Sequence, residues 1–139
     1  VVACCMILLT LPAHMEARRQ DKVVYKNIAE FVLQREGVPK DAIRISAPAS
    51  AQRWVSFFAN LDYPGAICHE ATEQTCWEVF AKDDGLIEQL KERKIKYFIW
   101  AEKRWSRNRV DLVRHKKSLK ELGRWWHSNT GEMILFEVI

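Results

Sequence analysis

The chain predicts an α/β domain. More closely, it predicts a three-layer α/β/α sandwich on a mostly parallel sheet, closed by a C-terminal antiparallel hairpin and preceded by the end of a transmembrane helix. Three observations carry that expectation. Segments of helical and of strand periodicity alternate along the sequence. Residues 95–101, IKYFIWA, run almost without polar interruption, as in a strand covered on both faces. Two apolar stretches flank Asn129-Thr130-Gly131, a hairpin signal. With 139 residues, 48% of them hydrophobic and 29% charged, the chain has the size and balance of one folded domain with one core, and excludes a disordered tail.

Each element has its own reason. Residues 1–11 carry no charge and end at Pro12, after which Glu16, Arg18, Arg19, Asp21 and Lys22 follow closely. A bilayer span takes about 20 apolar residues, so residues 1–12 read as the last turns of a transmembrane helix, and residues 13–139 as the single soluble domain. From residue 15 to 36, Val24, Ile28, Phe31 and Val32 fall at helical spacing, with Tyr25, Ala29 and Leu33 widening the stripe. Gly37 stands where a helix C-terminal glycine belongs, and Pro39 blocks continuation. Residues 42–47 form a strand between Pro39 and Pro48, and Ser50 is placed to cap a second helix carrying Trp54, Val55, Phe57, Phe58 and Leu61.

A weak strand follows at residues 65–68, and a short helical segment at 77–80. A third helix with Leu86, Ile87 and Leu90 comes after Asp83-Asp84-Gly85. A fourth helix is predicted over residues 110–122, from Leu112, Val113, Leu119 and Leu122, with Gly123 as its stop.

Charge is uneven. Residues 91–124 hold 13 Lys/Arg against 4 Asp/Glu, a local charge of +9 in a chain of net charge +4. Such a block suits nucleic acid, anionic headgroups or a phosphorylated ligand, or else the solvated faces of the elements it covers. In an open α/β sheet, ligands gather at the C-terminal strand ends. That criterion selects Ser46, Ser50, Arg53, His69 and Glu70 as candidates for anion or ligand binding, the first three at a helix start. Cys68 and Cys76 are spaced for a short-loop disulfide in an oxidising compartment. The cluster Cys68, His69, Glu70, Glu73 and Cys76 matches no metal-ligand spacing, and no phosphate-loop, dinucleotide or nucleophile-elbow motif occurs, so neither metal, cofactor nor catalytic residue is expected.

The stretches VYKNIAEFVLQREGVPKDAIRISAP, IKYFIWAE and LKELGRWWHSNTGEMILFEVI, following an apolar remnant, resemble the soluble tail of a group of membrane enzymes. These are the polytopic C-type glycosyltransferases related to protein O-mannosyltransferases and the lipid A aminoarabinose transferase. The resemblance covers nearly the whole chain through diffuse patterning. It implies an extracytoplasmic accessory domain of an enzyme that takes sugar from a polyprenyl-phosphate carrier. The catalytic acids of that group lie in its membrane part, so none carries over to this chain.

The implied partners are the membrane portion of the same polypeptide and the anionic lipid or carrier phosphate. Arg18, Arg19, Lys103, Arg104, Arg107 and Arg109 are the candidate membrane-facing cations. Nucleic acid is not an expected partner under this reading. The alternative is a free-standing nucleic-acid- or anion-binding α/β domain, in which Trp100, Trp105, Trp125 and Trp126 would serve as stacking platforms.

Overall fold

The computed structural model describes residues 20–38, 40–61, 84–103 and 110–139. Within them the chain is α/β, with three helices and a four-stranded mixed sheet. Helix α1, Gln20–Glu36, buries Val24, Tyr25, Ile28, Ala29 and Val32 as the periodicity predicts. It stops at Gly37, whose φ of 72° lets its N–H return to the Leu33 carbonyl at 2.8 Å.

The chain then enters strand β1, Ile45–Ser46, and helix α2, Ala49–Ala59. Helix α3, Leu86–Glu92, precedes strand β2, Tyr97–Ala101. Strands β3, Leu119–His127, and β4, Gly131–Val138, form the C-terminal hairpin.

The sheet order is β1-β2-β4-β3. Only β1 and β2 pair in parallel; β2–β4 and β3–β4 are antiparallel. The expectation of a mostly parallel sheet is therefore corrected for the described residues. The final hairpin does not merely fringe a parallel sheet but supplies half its strands, and β4 lies directly beside β2.

All five residues of β2 are buried, and the alternation of its side chains divides the interior. Tyr97, Ile99 and Ala101 join Met133 and Leu135 under α1 and α2. Phe98 and Trp100 join Ile134 and Phe136 on the other side, with Leu86, Leu90, Val110 and Leu119.

Four local expectations give way. The helix predicted over residues 110–122 is absent: turns occupy residues 112–118, and Leu119 onward is strand. Asp111 Oδ1 accepts the N–H groups of Val113 and Arg114 at 3.0 and 3.2 Å, which makes one helix-like turn. Propagation then competes with a strand pairing along β4 that runs from Leu119↔Val138 to His127↔Gly131, and the ladder wins.

Gly123 is no helix stop. It lies just after an irregularity in the ladder between Glu121 and Gly123 and beneath the Trp125 ring, so close that a Cβ there would sit 2.7 Å from the ring edge. The second helix is not capped by Ser50. Its N-cap is Pro48, which makes no side-chain cap bond, and Ser50 belongs to the helix itself. The strand predicted over residues 42–47 shrinks to two residues, because Ile43 bonds elsewhere. The buried Asn60 amide accepts the Ile43 N–H at 2.6 Å and donates to the Ile43 carbonyl at 3.1 Å and to the Ser56 carbonyl at 2.9 Å.

Two substitutions test this account. Asn60→Ala is expected to lower stability by about 2–4 kcal/mol, since it strands a buried N–H and a buried carbonyl at Ile43. Asn60→Asp should recover only the part that comes from accepting the N–H; urea denaturation measures both. Gly123→Ala should cost about 1–3 kcal/mol through overpacking. It should also change the near-ultraviolet dichroism as Trp125 is pushed off Phe31, whose ring centroid lies 5.6 Å away.

Candidate functional site

The strand directions give the domain two distinct poles. Ala101 ends β2 opposite Met133, and His127 and Gly131 close the hairpin just beyond that level. The Glu102 N–H donates to the Glu132 carbonyl at 2.9 Å, and Lys103 Nζ donates to the Ser128 carbonyl. The C-terminal ends of β1 and β2 and the hairpin tip therefore share one pole.

Helix α1 begins there too. Its last residue, Glu36, lies at the start of β2, and Phe31, one turn earlier, already packs on Trp125. Seventeen residues at 1.5 Å each carry its start about 25 Å from Glu36. Lys22 Nζ stands 4.2 Å from the centre of the Trp54 ring, so the first turn of α1 meets the middle of α2.

Of the predicted anion site, only the Ser46 and Arg53 side chains are described, and these two do not face one another. Ser46 is fully buried, paired in register with Phe98, and so turned into the interior on the Phe98 side of the sheet. Among the described residues its Oγ has no hydrogen-bond partner, and neither has Nε2 of the buried Gln52. Arg53, by contrast, is exposed on the outer surface of α2. A serine below the surface and an arginine above it do not cradle one ligand. The first turn of α2 carries no acidic residue.

Of the other candidates, Lys103 is exposed at the pole. His69, Glu70, Cys68, Cys76, Arg18, Arg19, Arg104, Arg107 and Arg109 lie outside the described residues, as do the apolar residues 1–12 and the segments at 65–68 and 77–80. Among the described residues no helix is long and apolar enough to cross a membrane, and no group of His, Cys, Asp and Glu is arranged to hold a metal ion.

The opposite pole holds a feature that the strand-end rule does not select. A cavity of about 480 Å³ opens between the end of α1 and the entries to β1 and β2. Lys40, Arg44, Lys94 and Lys96 line it against Glu36 and Asp41. Part of that charge is structural. Lys96 Nζ lies 2.7 Å from Glu36 Oε1, the buried Tyr97 hydroxyl donates to the same carboxylate, and Arg44 Nη1 donates to the Arg93 carbonyl at 2.9 Å.

Beside it, Arg35 pairs with Glu137 at 2.8 Å. These bonds clamp the end of α1 to β2 and β4. Burial and the acceptor Glu36 push the Tyr97 phenol far above its ordinary value of 10.0. Burial pushes the Glu36 carboxyl up, but the hydrogen bonds from Lys96 and Tyr97 and the charges of Lys96 and Arg35 outweigh it, leaving the group below its ordinary 4.5. The signal in the sequence was the run of basic residues immediately before each strand.

Compared with protein-family models, with curated proteins and with solved structures, the chain matches none.

The clamp makes a pH prediction. Glu36 is held below its unfolded value, so its contribution to stability is present above about pH 4.5 and is lost as pH falls through the folded value. Glu36→Gln should therefore lower stability at neutral pH and flatten the dependence of unfolding free energy on pH below about 5, as read by urea titrations at a series of pH values.

Proposed function

We propose that this chain is an accessory extracytoplasmic domain of an integral membrane glycosyltransferase that uses a polyprenyl-phosphate-linked sugar. It is not catalytic alone, and it is carried by the membrane portion of the same polypeptide. In this reading residues 1–12 end a transmembrane helix, the domain forms a three-layer sandwich, and its strand-end pole faces anionic headgroups or the carrier phosphate.

One observation carries the proposal. The start of α1, to which the apolar N-terminal residues lead, shares its pole with Lys103 and the hairpin tip. The chain that leaves Lys103 goes directly into Arg104, Arg107 and Arg109. The described residues next to these two segments, the first turn of α1 and Lys103, thus lie at the same end of the domain. A second reading, an anion-binding α/β domain, draws on the cation-lined cavity at the other pole.

Co-sedimentation of the full chain with phosphatidylcholine vesicles, with and without phosphatidylglycerol, tests the choice. A basic residue near an anionic surface is worth about 1 kcal/mol, or roughly five-fold in binding. Lys103→Gln, Arg104→Gln, Arg107→Gln and Arg109→Gln should each lower binding to the anionic vesicles by about that factor, while Lys40→Gln and Lys94→Gln leave it unchanged. Binding that ignores phosphatidylglycerol, or that weakens equally with the Lys40 and Lys94 changes, contradicts the proposal.

A further inference from the structure

Two helix ends frame the cavity of about 480 Å³ at the strand-entry pole: the end of α1 through Glu36 and Val38, and the turn after α3 through Lys94. That volume lies within the range of small-molecule sites. Both helices stop in left-handed backbone. Past α1 the position belongs to Gly37, at φ 72°, and glycine adopts it without a steric penalty. Past α3 it belongs to Lys94, at φ 53°, the one residue other than glycine at positive φ among the described residues. A side chain in that conformation is strained, and such strain gathers at functional positions.

The turn itself does not ask for a lysine. The Lys94 and Ile95 N–H groups donate to the Lys91 and Leu90 carbonyls at 3.0 and 2.9 Å, bonds that glycine would make equally well. Helix ends attract cations, but the Arg93 carbonyl already accepts from Arg44 Nη1 at 2.9 Å, and Lys96 is held by Glu36 at 2.7 Å. Neither the Lys94 ammonium nor that of Lys40, which also lines the cavity, has a carboxylate or carbonyl partner among the described residues. The Asp41 carboxylate, on the same cavity, has no donor there.

These three groups select the ligand. Two ammonium groups call for an anion with several oxygens. A phosphate monoester carries close to two negative charges at neutral pH and three acceptor oxygens, where a carboxylate has one charge and two oxygens. The Asp41 carboxylate repels a bare anion but accepts from a hydroxyl. A phosphorylated polyol meets both demands at once, because its hydroxyls lie a few bonds from its phosphate. The free alcohol leaves the ammonium groups unmet, and inorganic phosphate does not reach the carboxylate with a separate hydroxyl.

We infer that this cavity binds a small phosphorylated polyol, its phosphate on Lys40 and Lys94 and a hydroxyl on Asp41. The inference rests on the second, anion-binding reading, for which it names the ligand. It stands apart from the lipid reading, because vesicle binding reports on the opposite pole.

The test is isothermal titration calorimetry of the full chain at physiological salt, with glycerol 3-phosphate, glucose 1-phosphate, inorganic phosphate and glucose titrated separately. At least one ester should bind saturably and about five-fold or more tighter than inorganic phosphate, and glucose should not bind. Lys40→Gln and Lys94→Gln should each weaken the ester about ten-fold, the effect of losing one charge-assisted hydrogen bond, while Lys103→Gln leaves it unchanged. Asp41→Ala should erase the preference for ester over inorganic phosphate. Lys94→Gly should weaken binding as Lys94→Gln does without lowering the thermal midpoint, since glycine suits the left-handed turn. Inorganic phosphate binding as tightly as the esters, with the same dependence on Lys40 and Lys94, overturns the phosphorylated polyol and spares the anion-binding reading. No binding by either, or binding that ignores both lysines, overturns the two together. A lower midpoint for Lys94→Gly overturns the assignment of that lysine to the ligand.

Discussion

The burial of β2 on both faces is the constraint on which the rest of the structure depends. Tyr97, Phe98, Ile99 and Trp100 are essentially inaccessible, and each large apolar side chain removed from water contributes about 1.5–3 kcal/mol. Strict alternation sends Tyr97 and Ile99 to one side and Phe98 and Trp100 to the other, so both faces of the sheet must be covered. Helices α1 and α2 cover the first. Helix α3 and the turns after Val110 cover the second. Satisfying the backbone of so buried a strand requires neighbours on both edges, and β1 and β4 provide them.

From that strand the polarity of the domain follows. The Glu36–Lys96–Tyr97 and Arg35–Glu137 bonds fix the end of α1 at the entry to β2. The start of the helix is thereby carried to the far end, where β2 leaves the sheet and the β3–β4 hairpin turns. The Asn60 amide performs a related task for β1, bonding the backbone of Ile43 so that the approach to an edge strand is not left open. The functional proposal rests on this polarity.

Much of the fold was legible in the sequence because local and long-range signals agreed. The stripe Val24–Ile28–Val32 with Gly37 after it, the apolar run of β2, the start of α3 after Gly85 and the hairpin around Asn129-Thr130-Gly131 all read directly. Residues 119–127 did not. Leu119 and Leu122 fit a helical period, and only a full-length partner in β4 makes them strand. The short β1 was overread because an amide seventeen residues away takes the backbone bonds of Ile43.

Less of the site was visible. A serine at a strand end reads as a ligand until the register with Phe98 turns it inward. Trp125 and Trp126 are indistinguishable in sequence. Which of them is core depends on the strand phase, and the irregularity at Glu121/Gly123 resets that phase. That the Trp100 N–H meets no acceptor among the described residues belongs to three-dimensional packing alone, and no periodicity announces it.

The central claim, that the strand-end pole faces the bilayer, is tested most directly by paramagnetic relaxation. The full chain on anionic vesicles bearing a headgroup-attached spin label should show broadened backbone amides at Lys103 and residues 128–130, with Lys40, Asp41 and Lys94 unaffected. Equal broadening at both ends, or the reverse pattern, would contradict the account.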